Sequence, residues 1–331
     1  MASALGARDL YRLVRGGIDV KTVHANLRKP FRFLLCGDPA LIAQLRALLL
    51  RGHEDGSVPS DAAACIETIS PSAPLITAPS EVRAAIFLGE PGDRDGAALE
   101  TLRTLRVPIF AITVDADALP TGPAIPPAAA AIGDYTIPAL TVEALRPRFF
   151  VHLVEACKGV EIAVGRRLPP LRETVAAKLT RDAANNALKV ALASAIVDHI
   201  PVVGVVLGAF ASAGDMVAIT GLQMMLLLHI EATYGRDPDV QRMWKLLPVI
   251  GGGFGWRTLA RELVGFVPVA GVAIKGAIAY AGTIVVGEGV TFFLEHGNHM
   301  SKHQAAQIYD RTKDEALRFA RDLIARLKRK D

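Results

Sequence analysis

Residues 31–44 read FRFLLCGDPALIAQ: an unbroken apolar run from Phe31 to Cys36, a Gly-Asp-Pro turn, then a segment with helical spacing. A short apolar run closed by glycine and followed by an amphipathic stretch is the strand–turn–helix opening of an α/β domain. Further apolar runs lie at Ala63–Ile69, Ala84–Gly89 and Pro108–Val114, with helical stretches at Pro39–Arg51 and Gly96–Arg106. Strands alternating with helices predict a small parallel sheet. Upstream, residues 7–29 read as one or two short polar helices broken at Gly16-Gly17, an arm without nameable chemistry. Downstream, the Ala- and Pro-rich segment Ala118–Ala139 has the composition of a linker and is expected to close the α/β domain.

Beyond Val142 no strand alternation is visible and helical periodicity dominates. Arg172–Ile200 is predicted as one long helix whose polar residues (Lys178, Arg181, Asp182, Asn185, Asn186, Lys189) fill the first two thirds, as though it entered a less polar phase. The chain divides into an arm (1–29), an α/β domain (30–140), a hydrophobic helical domain (141–300) and a basic amphipathic helix (301–331). Three Pro-x-x-Gly motifs, at Pro201, Pro248 and Pro268, read either as helix starts in a packed bundle or as bends where hairpins enter a bilayer.

Hydrophobic residues make up 51% of the chain, charged residues 21% and aromatics 6%, with a mean hydropathy of +0.33. That balance excludes disorder and is apolar for a soluble enzyme. Lys and Arg number 37 against 33 Asp and Glu, and the whole surplus sits in residues 301–331. A nucleic-acid binder would carry a basic stripe with stacking aromatics on its body, so no nucleic-acid partner is expected. Cys36, Cys65 and Cys157 form no Cys-x-x-Cys pair, which suits a reducing compartment. Met1–Arg15 lacks an apolar secretory core.

Against the phosphate-binding pattern G-x-x-x-x-G-K-[ST], Gly37 fits, but Ile42, Ala43 and Gln44 take the places of the second Gly, the Lys and the Ser/Thr. The groups that would neutralise the terminal phosphates and hold magnesium are absent. A guanine-reading Asn-Lys-x-Asp would fall at Val114-Asp115-Ala116-Asp117, where only Asp117 fits. No GTP hydrolysis, catalytic residue or cofactor site is therefore expected. Glu295, His296, His299 and His303 have metal-like spacing, but Gly297 and Asn298 favour a break between them, so an exposed junction is expected and no metal site.

The apolar tracts are the strongest signal. Ile200–Ile230 is interrupted by charge only at Asp215, and Leu263–Gly287 only by Lys275. Small residues recur every four positions (Gly204, Gly208, Ser212; Gly251, Gly255; Ala273, Ala277, Ala281), a spacing suited to close helix packing in a membrane or in a tight soluble bundle. Both flanks are basic, with Arg166, Arg167, Arg172 and Lys178 before and the tail after, so both belong on the cytoplasmic side and the number of crossings is even. Val190–Ile230 offers 41 residues, enough for a hairpin of two crossings with Asp215 at its turn, and Leu263–Leu294 offers 32, enough for one crossing or a shallow hairpin. The tail places Tyr309, Thr312, Ala316, Phe319, Ala320, Leu323 and Leu327 on one helical face, to pack on the body or to lie on an anionic membrane.

From about Asn185 to His296 the chain resembles the bacterial YcjF-like domain family, often found behind Era-like GTPase domains. The matching stretches are Gly214-Asp215 through Leu222-Gln223-Met224 to Tyr234-Gly235; Gly251-Gly252-Gly253-Phe254 through Arg257 and Arg261-Glu262-Leu263; and Lys275 to Thr283. The resemblance covers about a third of the chain and supplies no catalytic residues. It implies membrane association and a GTPase-type neighbour, of which the N-terminal domain looks like a degenerate relative. The expected protein is a non-enzymatic component of a bacterial inner membrane with N- and C-terminal regions cytoplasmic. The lipid bilayer would be one partner, a protein bound by the pseudo-GTPase-like domain a second, and another copy of the chain a third. The alternatives are an atypical nucleotide-binding switch and a soluble helical protein enclosing an apolar ligand.

Overall fold

The computed structural model describes residues 15–69, 80–89, 102–197, 204–250 and 268–327. They belong to two compact units: His24–Val175 with Ala232–Gly235, and Ala176–Glu231 with Arg236–Asp331 and the chain up to Val23.

The first unit is built on a sheet of β1 (Arg32–Gly37), β2 (Ile66–Thr68), β3 (Val82–Gly89), β4 (Ile109–Val114) and β5 (Ile132–Ile137), in the order β2-β1-β3-β4-β5. Every pairing is parallel. The preceding helix is α1 (Val20–Leu27); α2 (Pro39–Leu49) and the single-turn α3 (Ser60–Ala63) connect β1 to β2. The central strands β1, β3 and β4 are buried almost throughout, as parallel strands covered on both faces must be. Helix α2 turns Ile42, Leu45, Leu48 and Leu49 inward. The helix expected at Gly96–Arg106 lies largely outside the described residues, as do residues 7–14 of the arm.

The linker expected at Ala118–Ala139 is corrected: it contains β5. This strand alternates, with Gly133, Tyr135 and Ile137 buried, as an edge strand does. Its flanking Pro and Ala hid the alternation. The loop before it folds back on the strand, Thr121 and Thr136 exchanging backbone hydrogen bonds of 2.8 and 3.3 Å. Gly122 lies against the Tyr135 ring, 2.8 Å from its Cδ1 to where a Cβ would stand.

After β5 come α4 (Val142–Leu145), a π-helical turn Arg146–Phe150, α5 (Val151–Ala156), α6 (Glu161–Arg167) and a 3-10 turn Pro169–Leu171. The π turn sends Phe149 and Phe150 into a cluster with Phe110, Tyr135 and His152.

The second unit is helical: α7 (Arg172–Val197) from Ala176 on, α8 (Gly204–Thr233) up to Glu231, α9 (Val240–Ile250), α10 (Pro268–His296) and α11 (Lys302–Leu327). Helix α7 matches the long helix expected from Arg172. Leu188 and Leu192 pack on Gly276, and Thr180 on Gly287, so α7 and α10 run antiparallel at a separation that glycine permits. Ala187, Ala191, Ala279, Ile219 and Leu222 join α7, α8 and α10 in one apolar cluster. Gly297, at φ +71°, ends α10 and turns the chain into α11. Ala305 and Tyr309 then cover Ala281 and Val285. The amphipathic tail thus packs on the body, with Thr312 and Ala316 also buried as its face requires.

A hairpin turn at Asp215 is overturned: α8 is a single helix of 30 residues through that position. Ser212 and Gly214 weaken a helix by at most about 1 kcal/mol each and force no positive φ, so they do not bend a long apolar rod. Likewise the described part of the second tract is one helix of 29 residues, α10. Pro268 opens α10, as a helix start should, whereas Pro248 lies within α9. Pro201 is outside the described residues, and so is the glycine motif at 251–255.

Candidate functional site

In a doubly wound sheet of this order a ligand would sit at the carboxyl edge, between β1 and β3, where the connections diverge. The β1–α2 turn there is occupied by the chain itself. Gly37 has φ +116°, and a Cβ on it would stand against the Leu88 carbonyl oxygen. Asp38 donates its backbone N–H to that oxygen at 2.8 Å. Its carboxylate accepts from the Leu41 N–H, also at 2.8 Å, as the N-cap of α2. Pro39 has no N–H to offer. A helix N-terminus that could cradle a phosphate therefore already holds a carboxylate, and a second anion there would meet its charge. Ile42 is buried, and Ala43 and Gln44 are exposed. At the end of β4, Asp115 accepts the Asp117 N–H at 3.1 Å in a local turn. Residues 90–101, which follow β3, lie outside the described residues.

One buried pair escaped the sequence. Tyr135 and His152 are 0% and 6% exposed, with Oη 2.7 Å from Nδ1. Burial pushes the His152 pKa down, with Arg148 adding to the effect, and burial pushes the Tyr135 hydroxyl up. With the histidine neutral, Tyr135 Oη and His152 Nδ1 form one hydrogen bond whose donor is set by the imidazole tautomer. The pair joins β5 to α5, seventeen residues apart, and no local motif marks it. All three cysteines are buried and free, and burial holds the Cys65 thiol up at about 11. Such thiols are poor nucleophiles.

Of the basic residues before the apolar region, Arg167 is committed to structure: it pairs with Asp61 at 3.1 Å, donates to the Leu27 and Lys29 carbonyls at 3.3 Å, and covers the Phe31 ring. Arg172 donates Nε to the Gly165 carbonyl at 3.2 Å and lies over Tyr234.

In the helical unit, α10 contains a stretch long and apolar enough to cross a membrane, Gly276–His296, 21 residues, with half of its most apolar part buried within the fold. Two polar features interrupt the apolar helices. Gln223 Nε2 donates to Thr283 Oγ1 at 3.3 Å, and that hydroxyl donates to the Ala279 carbonyl at 2.8 Å. Glu231, fully buried, is paired with Arg242 and accepts the Asp239 N–H at 3.2 Å, stapling the α8–α9 turn. The histidines are separated by the bend at Gly297: His296 stacks on Phe292, His299 on Phe293, and His303 meets Gln307 at 3.0 Å. Among the described residues no cluster of three His, Cys, Asp or Glu could hold a metal. Comparison with protein-family models, curated proteins and solved structures returned no match.

Proposed function

We propose that the protein is a non-enzymatic, membrane-associated component of a bacterial inner membrane. The helical unit, YcjF-like, would be the anchor, and the α/β unit a degenerate GTPase-like module that binds a protein partner without nucleotide. The observation that carries the anchor is the apolar stretch Gly276–His296 within α10. Helix α8, at 30 residues, is about 45 Å long at 1.5 Å per residue, and α10 about 43 Å. Each exceeds a hydrocarbon core of about 30 Å. Loss of nucleotide binding is supported by Asp38, which fills the helix N-terminus, and by the absence of the lysine and hydroxyl at Ala43 and Gln44.

One observation favours a second placement, a soluble bundle with α10 as its core. Helix α11 lies along α10 and carries Asp310, Arg311, Asp314 and Arg318, which lipid would not tolerate at depth. Washing isolated membranes with alkaline carbonate separates the two: an anchored chain stays in the pellet, and a soluble bundle leaves it. Calorimetry with magnesium and GTP is expected to show no binding, and micromolar affinity would restore the nucleotide-switch alternative.

A further inference from the structure

Of the arginines at the end of α6 and the start of α7, Arg166 is the one without a structural task. Its Nη1 is buried with no hydrogen-bond partner, and it forms no ion pair with a described residue. Arg172 lies within electrostatic reach, a second cation. The Gly52–Glu54 loop meets the same turn: a Cβ on Gly52 would stand 3.4 Å from Pro169, and the His53 Nε2 is likewise buried without a partner. Glu54, exposed, is the carboxylate within reach of Arg172. Gly235 also approaches Arg172, 3.5 Å from Nη2 to where its Cβ would stand. Burying an unpaired guanidinium N–H beside another cation is costly, and an anion removes the cost.

We infer that Arg166 and Arg172, with the Gly52–Glu54 loop against Pro169 and Arg172, form a binding site for a phosphate-type oxyanion. A guanidinium offers parallel N–H groups that match two oxygens of such a group. Resting on the membrane placement proposed above, the natural source is the phosphate of an anionic lipid, because the site adjoins the start of α7 and the end of α8, on the side that the basic flanks assign to the cytoplasm. Free inorganic phosphate presents the same oxygens.

The test uses purified full-length protein, wild type, Arg166→Met, Arg166→Gln, Glu54→Gln and the exposed control Lys158→Gln. Inorganic phosphate, compared with chloride at equal ionic strength, raises the melting midpoint of wild type and the control but not of either Arg166 variant. Without phosphate the Arg166 variants melt no lower than wild type, which a structural prop would not allow. Glu54→Gln, lacking the competing carboxylate, responds at lower phosphate. In flotation with vesicles of phosphatidylcholine alone or mixed with phosphatidylglycerol, wild type prefers the anionic vesicles, and Arg166→Met weakens that preference about tenfold. An unchanged phosphate response and unchanged vesicle preference in both Arg166 variants overturn the site. If wild type and Arg166→Met bind neutral and anionic vesicles equally and the phosphate response does not depend on Arg166, the site falls while membrane association stands. If wild type binds no vesicle yet its phosphate response depends on Arg166, the site stands with free phosphate as ligand and membrane association falls.

Discussion

Gly37 shows how one residue closes a site. Its positive φ and the Leu88 carbonyl oxygen, where a Cβ would stand, leave no room for a side chain. Gly37→Ala is expected to destabilise the chain by about 2–4 kcal/mol, read as a lower urea midpoint; an unchanged midpoint would mean that the β1–β3 approach is looser than described. His152 behaves differently, because its effect depends on protons. Its folded pKa lies below the ordinary 6.5, so above that pH neither state is charged and the fold keeps its full stability. As pH falls through 6.5 the unfolded chain takes up the proton first, and stability declines until the folded histidine is protonated too. The loss of stability between pH 7 and 5 should be smaller in a Tyr135→Phe/His152→Leu double variant, in which neither partner is left orphaned. An equal loss in both proteins would place the acid sensitivity elsewhere.

Elements were legible where a single physical pattern governed them. Phe33–Cys36 and Ile109–Ile112 are buried on both faces, so their apolar runs stood out, and the polarity gradient from Lys178 to Lys189 marked α7 from its first residue. Strand β5 was not legible, since only alternate residues are buried and Pro126, Pro127 and Pro138 surround it. In α8 the error lay in the weight given to a single charge: Asp215 suggested a solvated turn, but a helix satisfies its own backbone through such a position. The Tyr135–His152 pair and the idle Nη1 of Arg166 arise only from tertiary contact. Spin labels at Val205→Cys and Met225→Cys test the rod directly: twenty helical residues separate them by about 30 Å, whereas a turn at Asp215 would bring them to about 10 Å.

For the whole molecule, removal of residues 302–331 uncovers Ala281 and Val285. The truncated protein is expected to melt about 5 °C lower or more, yet to remain in the pellet after carbonate washing, because α8 and α10 persist. Its release would make α11 the anchor instead. The sheet carries a consequence for the protein partner proposed above. At one border Thr121 already hydrogen-bonds to β5 as a strand would, and at the other β2 is only three residues long, with Glu67 paired to Arg32 at 2.9 Å. Among the described residues the Thr121 bridge takes part of one border and β2 offers only three residues at the other, so an incoming peptide would find little strand to pair with. The proposed partner would then grip side chains on helices or loops. Extended peptides should fail to compete with it, while a charge introduced by Gln44→Glu on the exposed face of α2 should weaken binding if that helix is the surface used.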